Sequence, residues 1–526
     1  MDGDQENTDL LRSTLRPARG GVARARWTVP SLTVVFHPDT RRIGGCARLV
    51  DLLDGRGAAV SRLEPVFMDP GALSGEPLAH RSVSRRKLLF EPRGDGVRLQ
   101  REAGVGVSVS GAALAAPRDL SAEEIERGVV IELGDRVVLL LHRLGPPAAP
   151  LPRFGLVGDS DALERLRADI GRVADLPVPV LLRGESGTGK ELVARAIQQA
   201  SPRAREAFVS VSMAAIPSAL AASELFGYAP GAFTGASRGH AGYFAQAHGG
   251  TLFLDEVGEA PPDVQAMLLR VLESHETQPL GSTNRAKVDV RVIAATESDL
   301  DADVREGRFR GSLLHRLAGY QIALPPLRER RDDVGRLLSY RLAAELKSLG
   351  ELRRIADLAG PDPWLPASVI AALARYDWPG NVRQLCNVAR HLAIASRGGR
   401  PVHLQEFPPG LFGESMTARL EPPSGAGPSR RRTPADTSIP SNGELLAALR
   451  SNGWRTSATA RQLGISRTTL YKLIDRHAAI RTARDVSADE IRRCKAACGD
   501  DLEAMAAALE VSPRGLLLRM RELRVD

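Results

Sequence analysis

Two stretches of this chain carry residue types at spacings that suit phosphate chemistry. The first is Gly184-Glu185-Ser186-Gly187-Thr188-Gly189-Lys190-Glu191. Its glycines let backbone N–H groups turn inward around phosphate oxygens, where a side chain would block approach. Lys190 adds a full positive charge. The second stretch, some sixty residues on, is Thr251-Leu252-Phe253-Leu254-Asp255-Glu256. At the end of an apolar strand, Asp255 can hold Mg²⁺ through oxygen, and Glu256 can orient and deprotonate an attacking water. Alone, the first stretch could be a glycine-rich turn before a helix and the second a strand with a solvated acidic end. Together they read as the two halves of a nucleoside triphosphatase site. One residue departs from the strict pattern: Glu191 stands where Ser or Thr supplies a Mg²⁺ ligand.

Three elements must position these groups. Val180-Leu181-Leu182 reads as a buried strand feeding the glycine loop, and a helical pattern, ELVARAI, begins just after Lys190. The N-terminus of that helix contributes partial positive charge to a bound phosphate. From Phe154 onward helical and strand-like patterns alternate, which predicts an α/β fold on a mostly parallel sheet. Between the two half-sites lies Gly231-Ala232-Phe233-Thr234-Gly235-Ala236. Nothing in triphosphate chemistry needs a glycine-flanked Phe-Thr tip, so this loop is a hinge of separate purpose.

The chain has 526 residues, enough for three or four domains. Its 43% hydrophobic and 25% charged content is that of soluble globular proteins. The net charge of +8 permits nucleic-acid binding without demonstrating it. The four cysteines, Cys46, Cys386, Cys494 and Cys498, are scattered, which fits a reduced compartment and argues against zinc. No apolar run reaches the roughly 18 residues of a membrane span, and the N-terminus is acidic and polar. A cytoplasmic location is expected.

Residues 1–30 read as a flexible, Arg-rich lead. Seven short β-like runs follow: Leu32–Phe36, Ala58–Arg62, Lys87–Phe90, Gly96–Gln100, Gly104–Val109, Val129–Leu133 and Arg136–His142. Turn clusters separate them, which predicts an all-β sandwich over 31–144. This region resembles a forkhead-associated (FHA) domain through Val60-Ser61-Arg62, Val83-Ser84-Arg85 and Leu133-Gly134-Asp135-Arg136. The resemblance implies weak candidates for gripping a phosphothreonine protein at Arg62, Ser84 and Arg85. Lys87 stands where the family has His, and Val105-Gly106 and Ser110-Gly111 where it has Asn-Gly. The alternative is a sandwich that makes only contacts within or between subunits. A proline-rich linker, 145–153, closes the region, and its prolines favour a stiff, extended chain.

The central region, 154–400 with a helical lid from about 328, resembles the sigma-54-dependent transcriptional activators, the AAA+ enhancer-binding proteins of bacteria. GESGTGKE, Ser223-Glu224-Leu225-Phe226-Gly227, GAFTGA and GGTLFLDE carry the resemblance, which runs from about Phe154 to Arg397. The family accepts Glu at position 191. The resemblance implies ATP and Mg²⁺ as cofactors, with Gly231–Ala236, tipped by Phe233 and Thr234, touching the sigma-54 RNA polymerase holoenzyme. It also implies sensor I at Thr296, arginine fingers at Arg310 and Arg316 reaching a neighbour's γ-phosphate, and Arg383 in the sensor II stretch. Assembly is expected as a ring, a hexamer by resemblance, and as a dimer when inactive. Two departures stand out: Glu297 and Ser212 replace family asparagines, the latter in the switch that restrains the catalytic Glu. Slower or differently regulated hydrolysis is expected from them.

Residues 410–440 read as a disordered linker. The stretch Thr456–Ile474 then reads as helix, Gly464 turn, Ser466 cap, helix, as in a helix-turn-helix. It resembles the Fis-type motif that closes this activator family. Ser466, Arg467, Thr468, Thr469, Tyr471, Lys472 and Arg476 are the DNA-contacting candidates, on double-stranded DNA at an upstream activator site. Residues 485–526 echo the frame as a degenerate second copy. The first copy, 441–484, carries 8 basic and 2 acidic side chains, and the second 7 and 9. Phosphate neutralisation dominates DNA affinity, so the first copy should read DNA and the second should pack or dimerise. The expected whole is a multidomain ATP-driven activator. The alternatives are a DNA-binding regulator with an impaired ATPase and an AAA+ remodeller of another target.

Overall fold

A computed structural model describes residues 28–69, 74–146, 151–232, 238–360, 362–403 and 407. Further on it describes 442–452, 486–499 and 502–509, with isolated positions at 454, 459, 462, 511, 516, 519, 520 and 523. The chain divides into two units, 1–424 and 425–526.

Among the described residues, ten strands build the N-terminal sandwich: β1 (Val29–Phe36), β2 (Cys46–Arg48), β3 (Ala58–Val60), β4 (Leu88–Arg93), β5 (Gly96–Arg101), β6 (Val107–Val109), β7 (Ala112–Ala113), β8 (Arg118–Leu120), β9 (Val129–Leu133) and β10 (Val137–Leu144). One sheet runs β2-β1-β10-β9-β6-β7 and the other β3-β4-β5-β8. Leu32, Val34, Leu88, Phe90, Leu99, Ile131, Leu139 and Leu141 fill the space between them. The sequence pattern missed β2, β7 and β8 because strands of two or three residues carry no readable period. A short helix, α1 (Ala122–Arg127), opens on a capping box between Ser121 and Glu124.

The central core is a parallel sheet ordered β12-β13-β16-β11-β17. Its strands are β11 (Val180–Arg183), β12 (Phe208–Ser212), β13 (Thr251–Asp255), β16 (Arg291–Thr296) and β17 (Tyr320–Ala323), with a hairpin, β14 (Glu276–Thr277) and β15 (Ala286–Lys287), set apart. The near-continuous apolar strands follow from burial on both faces by helices. Those are α2 (Asp161–Val173), α3 (Lys190–Gln199), α4 (Ser218–Phe226), α5 (Gly242–Gln246), α6 (Pro262–Ser274), α7 (Leu300–Arg305) and α8 (Gly311–Leu317). The lid follows as α9 (Val334–Ser348), α10 (Arg354–Asp357), α11 (Ala367–Arg375) and α12 (Asn381–Ala395).

The core of the lid, built mainly by its own helices, extends onto the sandwich. Val35, Phe36, Val130, Val138 and Leu140 of the sandwich share one buried cluster with Leu337, Leu338, Leu373, Trp378 and Leu385 of the lid. The sandwich before the 145–153 linker and the lid beyond it therefore pack against each other.

In the second unit, α13 (Asn442–Ser451) is followed by α14 (Ala488–Cys498) and α15 (Leu502–Ala508). Val486, Ile491, Met505, Ala506, Val511 and Leu516 form a small core there. Among the described residues no helix is long and apolar enough to cross a membrane, and no group of three or more His, Cys, Asp or Glu could hold a metal.

Candidate active site

Strand β11 delivers the glycine loop to the carboxyl edge of the sheet, between β16 and β17. Ligands of open α/β sheets bind at this edge. Gly187 and Gly189 take φ of +78° and +103°, which a Cβ would resist. A Cβ on Gly187 would also lie 2.4 Å from the Gly380 carbonyl oxygen, so the lid turn Pro379-Gly380 packs directly on the loop. The Gly184 N–H donates to the Thr296 carbonyl at 3.2 Å. Thr188 closes the loop, its hydroxyl donating to the Glu185 carbonyl at 2.7 Å.

Lys190 is the first residue of α3 and is almost wholly buried. Its Nζ donates to the Gly184 carbonyl at 3.0 Å and lies 3.1 Å from Glu256 Oε1. The other carboxylate oxygen of Glu256 accepts the Glu297 backbone N–H at 3.1 Å. Glu256 sits at φ +51°, a left-handed conformation uncommon outside glycine, Asn and Asp. The two halves read from the sequence thus meet at one ammonium–carboxylate contact. Asp255, at the end of β13, accepts the Glu256 N–H at 3.2 Å. Burial, aided by the Glu256 charge, pushes the Asp255 carboxyl above the usual carboxylate range. A cation there would relieve that strain. Mg²⁺ commonly takes one or two carboxylates and completes its shell with phosphate oxygens and water, so the donors present fit it. Glu191 is half-exposed and pairs with Arg195 at 2.8 Å, and its charge also acts on Asp255.

The two departures resolve differently in three dimensions. Ser212 is in register with Asp255 across β12 and β13, yet no hydrogen bond joins its hydroxyl to Glu256. Glu297 holds Glu256 through its backbone, and its side chain is exposed. Thr296, fully buried at the end of β16, accepts the Ser298 N–H on its hydroxyl at 3.0 Å.

Arg383 reaches the loop, donating to Ser186 Oγ at 2.9 Å. Its neighbour Asn381, which the sequence reasoning passed over, does more. Its oxygen accepts the Leu327 N–H at 2.8 Å, and its amide donates to Glu185 Oε2 at 3.1 Å and the Ser186 carbonyl at 3.0 Å. Arg328, also missed, forks onto both Glu185 oxygens at 2.8 and 2.6 Å. These bonds, the Arg328 guanidinium first and Asn381 second, hold the Glu185 carboxyl below its ordinary range. The Pro-Gly turn before Asn381 was a signal that could have found it. Arg328 lies in the string Leu324–Arg330 at the turn into the lid, but its partner lies 143 residues away, so no local signal marked the contact.

Arg310 caps α8, is exposed, and offers only its backbone, to Gln265 Oε1 at 2.9 Å. Arg316 donates Nε to the Leu272 carbonyl at 3.0 Å. Neither makes a hydrogen bond or ion pair with the described residues of the glycine loop in its own chain.

The glycine-flanked loop has a cinched base. Tyr228 bridges His240 antiparallel and Leu280 in parallel. A Cβ on Gly227 would lie 2.4 Å from the His240 oxygen, and one on Gly242 2.4 Å from Gly227 N, so backbone meets backbone at both ends. Gly231 takes φ +81° and Ala232 donates to the Ala229 carbonyl at 3.1 Å. Phe233, Thr234, Gly235 and Ala236 lie outside the described residues, as do Ser466, Arg467, Thr468, Thr469, Tyr471, Lys472 and Arg476. In the sandwich, Arg62 and Ser84 are adjacent: the Arg62 N–H donates to the Ser84 carbonyl at 2.9 Å and its Nε to Val83 O at 2.9 Å. Arg85 is exposed beside them.

Comparison with known proteins gives three family matches. Residues 156–323 match the sigma-54 interaction domain, 328–422 the AAA+ ATPase lid domain, and 443–477 the Fis family of bacterial regulatory proteins. The chain is 45% identical over 278 residues to the DNA-binding transcriptional regulator NtrC of Escherichia coli strain K12, covering 52% of this chain and 57% of that one. It is 42% identical over 343 residues to the Nif-specific regulatory protein of Klebsiella pneumoniae, covering 63% and 61%. The crystal structure of NtrX from Brucella abortus in complex with ATP is 34% identical over 61% of this chain and 69% of that chain, with a TM-score of 0.43. The chain thus spans 57% and 61% of the length of the two curated relatives.

Proposed function

We propose that this chain, whose centre is a sigma-54 interaction AAA+ ATPase domain with its lid, is an ATP-driven activator of sigma-54 transcription. It binds DNA upstream of a promoter through its Fis-family segment and remodels the sigma-54 polymerase holoenzyme so that the promoter opens. The observation that carries this proposal is the Lys190–Glu256 contact at 3.1 Å. The same ammonium that would meet the terminal phosphates now neutralises the carboxylate that would activate water. ATP arriving on the loop competes for Lys190 and so frees one oxygen of Glu256 as it binds. The Glu297 N–H keeps the other oxygen oriented. Asp255 is the carboxylate that would hold Mg²⁺, whose bound form neutralises phosphate charge. Glu185, Ser186, Thr188 and the loop amides orient the triphosphate, Thr296 lies at the end of the adjoining strand, and Arg383 completes the seat from the lid.

Arg310 and Arg316 act in trans, so the site is complete only in a ring, a hexamer, and is idle in a dimer. A finger supplied by a neighbour raises phosphoryl-transfer rates by about 10³–10⁵. The cinched base at Gly227–Gly242 passes movement of the core to the tip, where Phe233 and Thr234 touch sigma-54. Arg62, Ser84 and Arg85 offer a phosphothreonine protein a seat on the sandwich, and the location is the cytoplasm. Transcription in vitro from a sigma-54 promoter tests the whole. Wild type should form open complexes with ATP and none with a non-hydrolysable analogue, and Glu256→Gln should bind ATP and form none. Full activation by Glu256→Gln would favour a DNA-binding regulator without ATPase-driven work.

A further inference from the structure

The sheet β2-β1-β10-β9-β6-β7 is buried on both of its faces where β1, β9 and β10 run. A sandwich sheet with one solvated face alternates apolar and polar residues. Val137–Leu141 is apolar without a break and buried throughout. Val137, Leu139 and Leu141 point into the sandwich, and Val138 and Leu140 join the lid cluster. The same division splits β1, with Leu32 and Val34 inward and Val35 and Phe36 to the lid.

Backbone and polar contacts fix this face. A Cβ on Gly335, within α9, would lie 2.0 Å from the Val35 carbonyl oxygen, so the helix touches the strand backbone to backbone. Glycine is disfavoured inside a helix, and this close approach accounts for it. Arg136 Nη2 donates to the Leu358 and Gly360 carbonyls at 3.1 and 2.5 Å. Arg336 ties Asp69 at 3.2 Å to Asp159 at 2.9 Å.

We infer that the N-terminal sandwich is a permanent part of the lid and moves with it through the ATPase cycle, and is not a removable input domain. Undocking would bare a contiguous apolar stripe on both partners and remove Val35, Phe36, Val130, Val138 and Leu140 from the cluster that α9 and α11 pack into, so the face is built for one lasting partner, the lid of the same chain. A ligand on the sandwich would then act by shifting the lid's contacts with the glycine loop, at Asn381, Arg383 and Arg328. This inference deepens the ATPase reading and rests on it.

The test uses the full chain with its four native cysteines replaced by serine or alanine. Asp69→Cys and Arg336→Cys are introduced together and bridged by a short bis-maleimide. The bridge should form to the same yield without nucleotide and with a non-hydrolysable ATP analogue. A several-fold fall in yield with the analogue overturns the inference. The bridged chain should hydrolyse ATP within about twofold of the unbridged chain, and loss of hydrolysis on bridging overturns it. Absence of hydrolysis in both chains counts against the ATPase reading, and the yield then decides the inference alone. A second variant, Val138→Asp, should lower hydrolysis and the melting of sandwich and lid together. Raised hydrolysis in that variant would mean the sandwich is a repressor that comes off.

Discussion

Asn381 offers the sharpest check on how the lid is fastened to the glycine loop. It is fully buried, takes φ +50°, and makes three hydrogen bonds, to Leu327 N–H, Glu185 and the Ser186 carbonyl. Replacing it by glycine keeps the backbone conformation and removes the bonds. The buried Leu327 N–H is then left without its partner, which costs about 1–3 kcal/mol, and the other two bonds add about 0.5–1.5 kcal/mol each before solvent replaces part of them. Ser186 and Glu185 are partly exposed, and Arg328 still holds Glu185, so the net for Asn381→Gly is about 3 kcal/mol. Asn381→Ala adds the left-handed penalty of about 1 kcal/mol. Asn381→Asp keeps the acceptor for Leu327 and sets a second carboxylate against Glu185, so it should be worse than glycine for nucleotide binding. The assay is urea unfolding followed by the fluorescence of Trp364 and Trp378, both buried in the lid, with Trp27 and Trp454 replaced by phenylalanine. ADP affinity is measured in parallel and should weaken in the same order. An Asn381→Gly chain within about 0.5 kcal/mol of wild type, with unchanged ADP affinity, would refute the reasoning.

Arg310→Ala removes an exposed side chain, so stability should move by less than about 0.5 kcal/mol. Hydrolysis by the assembled protein should fall about a thousandfold if the arginine acts on a neighbour's phosphate, and mixing with an Glu256→Gln chain that keeps Arg310 should restore part of it. His142 is buried against the Thr33 hydroxyl at 2.8 Å, and burial lowers its pKa from 6.5 to about 4. The folded form resists protonation, so its stabilising share is complete above pH 6.5 and is lost as pH falls from there towards 4. The loss is about 3 kcal/mol, and the difference between wild type and His142→Gln across that range isolates it from other groups. The chain cut at residue 484 should keep salt-dependent DNA binding, because 441–484 holds the excess of basic side chains. Loss of all DNA contact in that chain, with self-association intact, would count against the assignment.

Much of the chemistry was legible because it is local. A phosphate loop is a run of consecutive backbone amides, so its glycines and Lys190 must appear together, and an apolar strand ending in Asp255-Glu256 is likewise one uninterrupted string. The sandwich was legible as repeated short runs, though its two- and three-residue strands were not. Glu191 looked like a missing Mg²⁺ ligand and Glu297 like a charge beside phosphate. Folding turned the Glu191 carboxylate to Arg195 and exposed the Glu297 side chain while its backbone served Glu256. Which residues meet across the chain had no local signature. Arg328 and Asn381 reach Glu185 from 143 and 196 residues away, and the lid extends its core onto the outer face of a sheet laid down some two hundred residues earlier. The unbroken apolar run at Val137–Leu141 did state that both faces of that strand are buried. Only tertiary structure could say by what, because hydrophobic burial is non-directional and a sequence fixes the need for a partner without fixing which one.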